Sequence, residues 1–188
     1  MRLIKAKNLA GVSRKASDLI AGQVRLKPDC VLGLATGSTP VDCYKELIAQ
    51  CQAGELDFSK VKTVNLDEYV GLTKDHPQSY AYFMRQNLFD HINICPENTY
   101  VPNGCAEDLE KEGAEYDARI ESFGGIDLQL LGIGLDGHIG FNEPAPIFEF
   151  SPTVNEPRTF APALTITLSP MVGCLLPFSL PVPPRVTP

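Results

Sequence analysis

No run in this chain approaches the roughly 18 consecutive apolar residues that a membrane-spanning helix needs, and the amino terminus MRLIKAKNLAG lacks the long apolar segment of a signal peptide. A cytoplasmic, soluble chain with no membrane partner is the expectation. Paired cysteine motifs are also lacking. The six cysteines, at 30, 43, 51, 95, 105 and 174, never fall in C-x-x-C spacing, which argues against a zinc knot or redox pair and leaves buried small hydrophobes or incidental surface thiols. No metal site is expected. Positive charge is short as well: the formal net charge of −7 argues against a duplex or polyphosphate surface as partner, because such partners need a basic field, so no nucleic acid is expected. A small anionic solute remains open, since a local pocket can bind one in an acidic protein. At 188 residues, one domain with a sizeable core is the default.

What is present, from residue 1 to about 143, is an alternation of apolar runs and helical periodicities. That alternation predicts an α/β fold, a Rossmann-like doubly wound and mainly parallel sheet. Leu3-Ile4 reads as a short strand, followed by a helix with Leu9, Val12, Ala16, Leu19 and Ile20 on one stripe. CVLGLA (30–35) reads as a buried strand, then Thr39 as an N-cap, Pro40 at the first helical position and Gly54 as a stop. TVNL (63–66) is a strand, 79–89 a helix, 106–123 a helix ended by Gly124-Gly125, and IDLQLL (126–131) a strand.

The statistics change at Pro144. Eleven of sixteen prolines lie in the last 45 residues, which contain no Lys, no Asp, one Gly and four charges: Glu149, Glu156, Arg158 and Arg185. Proline removes a donor and clashes with the preceding turn, so such a segment cannot easily hold a helix. Short pieces such as ALTITL could form strands. The expected division is a 1–145 α/β domain, C-terminally incomplete, and a 146–188 proline-rich tail that is aberrant or disordered.

Three segments run from an apolar strand directly into a polar turn: LGLATGSTP (32–40), VNLDEYVGL (64–72) and LLGIGLDGHIGFNEP (130–144). In an open α/β sheet, loops at the carboxyl ends of strands converge on one crevice. The first turn offers Thr36, Gly37, Ser38 and Thr39 with the free N–H groups of a helix start, an arrangement suited to a phosphate ester, although a plain helix cap would use the same residue types. It lacks G-x-x-x-x-G-K-[ST], so a nucleotide P-loop is not supported. The second turn places Asp67 and Glu68 just past a strand, as a general base or as a solvated pair. The third contains Gly132-Ile133-Gly134-Leu135-Asp136-Gly137, which satisfies G-x-G-x-x-G. A dinucleotide site would need a helix to begin within those glycines; Gly137, Gly140 and Pro144 prevent one, and the acid expected further on would be Glu156 in the tail. What remains is His138 held between Asp136 and Glu143, a histidine suited to proton transfer. His76 and His91 lie in ordinary polar surroundings.

Together these three motifs resemble glucosamine-6-phosphate deaminase, over about Met1 to Ala145. The related 6-phosphogluconolactonases share the D-G-H turn but carry an arginine after the D-E pair and a different run after the histidine; here those places hold Tyr69 and IGFNEP. The resemblance implies a cofactor-free reaction of a small-molecule sugar phosphate: glucosamine 6-phosphate and water give fructose 6-phosphate and ammonia. It implies that Asp67 moves the proton between C2 and C1, and that His138 opens the sugar ring with Asp136 and Glu143 as partners. Thr36, Gly37, Ser38 and Thr39 would bind the phosphate. The family continues well past this point and supplies an arginine and a lysine to the phosphate, for which nothing after Ala145 is a counterpart; no lysine follows Lys111. A frame shift or truncated splice product is therefore expected, with impaired activity. The alternatives are an inactive fragment that binds sugar phosphate or a partner subunit, and a lactonase-like hydrolase. Oligomeric state is left open, a homo-oligomer included.

Overall fold

The computed structural model describes residues 4–133, together with the backbone of two later strands, Thr165–Ser169 and Cys174–Pro177. Strand β1 (Ile4–Lys5) leads into helix α1 (Leu9–Leu26), whose first turn is closed by Asn8: its side chain accepts from Gly11 N. Strand β2 (Val31–Leu34) precedes α2 (Val41–Gln52), and β3 (Lys62–Asn65) precedes α3 (Tyr80–Asn87). Strand β4 (Thr99–Tyr100), α4 (Leu109–Ser122) and β5 (Leu128–Gly132) follow; β6 and β7 are the two later strands. Gly54 ends α2 and Gly124-Gly125 end α4, all at φ between 73° and 90°, in the left-handed region that glycine enters without steric cost.

The seven strands form one sheet in the order β1-β7-β6-β5-β2-β3-β4. β6, β5, β2, β3 and β4 are mutually parallel, while β7 runs antiparallel to both β6 and β1. From β2 the chain winds outward through β3 to β4, then returns to the other side of β2 to lay down β5 and β6. The boundary between β2 and β5 is therefore the point where winding reverses, and the crevice for a ligand opens at the carboxyl ends of the strands there. The doubly wound, mainly parallel α/β reading is correct.

Alternation along the strands sends side chains to two covered faces. Leu32, Leu34, Leu128 and Leu130 join one core with Val12, Ala16, Ile20 and Val24 of α1 and Tyr44 and Leu47 of α2. On the other face Val31 and Val64 meet Tyr116 and Ile120 of α4. Two local expectations need correction. Leu9 and Leu19 were counted in the buried stripe of α1, yet they are 45% and 40% exposed. The i, i+4 row of Val12, Ala16 and Ile20 turns inward, and Leu19, one residue from that row, is rotated about 100° away from it.

The second correction lies at α2. Thr39 does not cap it: the residue before the helix is Pro40, with no side-chain cap bond, and the Pro40 carbonyl accepts from Tyr44 N at 3.0 Å. Pro40, whose carbonyl accepts the first helical bond, has no side-chain oxygen to close the leading N–H groups.

Two stretches of the proline-rich segment pair into the sheet. Residues 165–168 pair parallel to 129–132, and Cys174–Pro177 folds back antiparallel on 166–169. The ALTITL piece thus contributes to a strand, and an irregular tail does not describe these two stretches. The rest of 134–188 lies outside the described residues.

Candidate functional site

The register between neighbouring strands fixes the geometry of the first two turns. Leu34 of β2 pairs with Asn65 of β3, so Thr36 and Asp67 each stand two residues beyond paired positions on adjacent parallel strands. Such strands lie about 4.8 Å apart, so the two turns leave the sheet side by side at one level. On the other flank Gly33 pairs with Gln129 of β5, so the third turn leaves from the strand next to β2. Asp136, His138 and Glu143, which that turn carries, lie outside the described residues.

The turn at 36–39 is prepared by its supports. The buried Tyr44 hydroxyl of α2 donates to the carbonyl of Ala35, holding the chain just before Thr36. Gly37 then adopts φ +92°, with open space where a Cβ would stand. Among the described residues, α1, α3 and α4 have their first turns closed by the side chains of Asn8, Ser79 and Asp108, and α2 has no such cap. Its leading N–H groups face the turn with the positive end of the helix dipole, which favours an anion over a plain cap. One feature opposes this: Asp42 sits in the first turn of α2, and its charge is offset by an exposed ion pair with Lys45 at 2.9 Å.

The adjacent acids Asp67 and Glu68 have separate tasks. Glu68 is spent on structure: Oε1 accepts from Tyr69 N and Tyr80 N at 2.8 Å, and Oε2 accepts from Ala81 N at 2.9 Å, so its carboxylate closes the first turn of α3. Asp67 takes no part in that cap. Half-buried, it has its pKa pushed up to about 6, first by burial and then by the neighbouring charge of Glu68. A carboxylate so placed is mostly ionised at neutral pH and holds a proton more strongly than an ordinary aspartate, as a general base for carbon acids requires.

Three further residues escaped the sequence reading. Asn65, fully buried at the end of β3, donates from Nδ2 to Leu34 O at 3.0 Å and ties the two strand ends together. Tyr116 of α4 donates to Asn65 O at 2.8 Å and lies 2.9 Å from Tyr100 O, joining β3 to β4. Tyr80, the first residue of α3, donates from its hydroxyl to Tyr69 at 3.3 Å. Only for Asn65, a polar residue in an apolar strand next to an acid, did the sequence contain a usable signal.

The turn after Asp67 is buttressed by the segment at 101–105. Gly71 N donates to Gly104 O at 2.7 Å, and a Cβ on Gly104 would come within 2.1 Å of Tyr69 O. Gly104→Ala is expected to push the 69–71 backbone aside, at a stability cost of about 2 kcal/mol in denaturant unfolding. An unchanged midpoint would show that the contact is loose.

Fold and site together define an open α/β protein whose turns after β2 and β3 leave adjacent parallel strands side by side, one leading into a helix with no side-chain cap and the other carrying a half-buried acid of raised pKa. The profile of the family described as glucosamine-6-phosphate isomerases/6-phosphogluconolactonase matches residues 5–169, and the chain belongs to that family. The glucosamine-6-phosphate deaminase of Clostridium perfringens (strain SM101 / Type A) is 62% identical over 144 residues, 77% of this chain and 60% of that protein. That of Thermoanaerobacter sp. (strain X514) is 58% identical over 77% of this chain and 57% of its own. A solved monomeric glucosamine-6-phosphate deaminase superposes with a TM-score of 0.74 at 45% identity, covering 78% of this chain and 61% of that one. A 6-phosphogluconolactonase from Thermotoga maritima shares the fold at a TM-score of 0.61 and 22% identity, over 73% of this chain and 61% of its own. The chain thus spans about 60% of the length of the relatives it matches.

Proposed function

We propose that this chain is a glucosamine-6-phosphate deaminase, turning glucosamine 6-phosphate and water into fructose 6-phosphate and ammonia in the cytoplasm, without a cofactor. The observation that carries the reading is the half-buried Asp67, pKa about 6, standing level with the uncapped anion seat at 36–39. With phosphate at Thr36, Gly37, Ser38 and Thr39, Asp67 takes the proton from C2 of the open-chain sugar and returns it to C1. The amine at C2 then leaves after water adds to the resulting imine. His138, oriented by Asp136 and Glu143, moves the proton between the anomeric hydroxyl and the ring oxygen that opens the pyranose. The identities of 58–62% to deaminases, against 22% to the lactonase, support this over lactone hydrolysis.

The purified chain is expected to release ammonia from glucosamine 6-phosphate and to leave glucosamine, which lacks the phosphate, unreacted. Hydrolysis of 6-phosphogluconolactone without ammonia release would reverse the assignment, and sugar-phosphate binding with no turnover would make the chain a binding module.

A further inference from the structure

The sugar-phosphate reading sets a requirement of distance: one molecule must rest its phosphate on the turn after β2 and present C1 and C2 to the acid on the turn after β3. Binding energy at the non-reacting end of a substrate helps only where that spacing is fixed. Thr36 and Asp67 stand two residues beyond Leu34 and Asn65, the last paired positions of the two strands. At that rung the Asn65 side chain crosses from β3 to β2, its Nδ2 donating to Leu34 O at 3.0 Å. The backbone of Asn65 is held in turn by α4, whose Tyr116 hydroxyl donates to Asn65 O at 2.8 Å. Its remaining polar atom, Oδ1, is fully buried and has no hydrogen-bond partner among the described residues.

We propose that Asn65 is a positioning residue for the sugar-phosphate reaction: its amide bridges the ends of β2 and β3 and sets the spacing between the phosphate-binding turn and Asp67. This rests on the function proposed above. Sheet stability does not call for an amide at this place. β2 and β3 already share four register pairs, and a leucine of nearly the same shape would be buried there without an unpaired oxygen. Thr63 supplies the contrast. It lies two residues earlier on the same face of β3, is equally buried and also has an Oγ1 with no partner among the described residues, so it makes no bond to β2. What sets Asn65 apart is the cross-strand bond at the last rung before the turns.

Two ligands separate spacing from seating. Inorganic phosphate occupies one turn alone, whereas glucosaminitol 6-phosphate, an open-chain analogue of the sugar, must reach both. In calorimetry the unmodified chain is expected to bind the analogue more tightly than phosphate. Asn65→Leu should leave phosphate affinity within about twofold and weaken the analogue roughly tenfold or more, because small errors of placement are amplified when two ends must fit together. Thr63→Val should change neither. Asn65→Thr, suited to a strand but too short to reach Leu34 O, is the second variant and should repeat the Asn65→Leu result. The proposal is overturned, with the function intact, if both ligands weaken equally or if neither does. It is overturned too if neither variant at position 65 unfolds cooperatively in urea, which would make Asn65 a determinant of the fold. An unmodified chain that gains nothing from the sugar over phosphate alone defeats the sugar-phosphate reading itself, and the role of Asn65 with it.

Discussion

Asp67→Asn is expected to remove ammonia release while making the folded chain more stable. The loss follows from the role of the carboxylate: a positioned general base contributes roughly 10²- to 10⁴-fold to the rate, and an amide cannot accept the C2 proton. The gain follows from linkage. Burial and the Glu68 charge lift the pKa of Asp67 from 3.8 to about 6 on folding. Between those two values the folded state holds a proton that the unfolded state has released, so stability falls as pH rises from about 4 to 6, and the full penalty persists above 6. At 1.36 kcal/mol per unit it is on the order of 3 kcal/mol at neutral pH. Asparagine, of nearly the same shape and uncharged, is relieved of it. Urea unfolding at pH 7 and pH 4 is the check: the variant should gain stability at pH 7 and little at pH 4. The unmodified chain should lose kcat/KM as pH falls through about 6, as Asp67 takes up its proton. A variant that is both active and no more stable would show that Asp67 is a solvated loop acid.

Glu68→Ala should do the opposite, losing stability first and activity in consequence. It strips the partners from three backbone donors, Tyr69 N, Tyr80 N and Ala81 N, two of them in the first turn of α3. Hydrogen bonds to a charged acceptor are worth about 1.5–3 kcal/mol each, although water will reach some of these donors, so a net loss of roughly 3 kcal/mol is expected in denaturant unfolding. Glu68→Gln keeps one acceptor oxygen and should lose less. The charge of Glu68 is also one of the two causes that raise Asp67, so its removal should move the Asp67 titration downward and carry the acid limb of the activity profile with it. An Asp67 titration that stays near 6 in Glu68→Ala would mean that burial alone sets it.

A contrast between these adjacent acids separates what was legible in the sequence from what was not. VNLDEYVGL gives Asp67 and Glu68 the same local surroundings, and nothing in those letters says which of the two closes a helix. The distinction arises 12 residues later, where the first turn of α3 returns to Glu68 and not to Asp67. A helix cap from a distant loop is invisible to a rule that looks for the capping residue next to the helix, which is why Ser79 is readable and Glu68 is not. The same holds for Tyr80: its hydroxyl donates to Tyr69, and a tyrosine at a helix start carries no mark of that partner.

Backbone chemistry fared differently, because its causes are short-range. Apolar runs became β2, β3 and β5, paired glycines ended α4, and glycine at 37 took the one conformation that a turn from β2 into α2 needed. The turns at 36–39 and 67–68 were legible for the same reason, each being a local break in a local pattern, and the rule for open α/β sheets already sent them toward one crevice. Their relative level was not. Strand order places β2 between β3 and β5, and register sets Thr36 level with Asp67; both depend on pairings across 31 and 96 residues of chain. The two late strands make the point most sharply: proline density and the loss of charge argued against ordered structure after residue 145, yet parallel pairing along β5 gives Thr165–Ser169 a place in the sheet. Composition measures what a segment can do alone. A strand edge already built by other residues offers it hydrogen bonds that no property of its own sequence records.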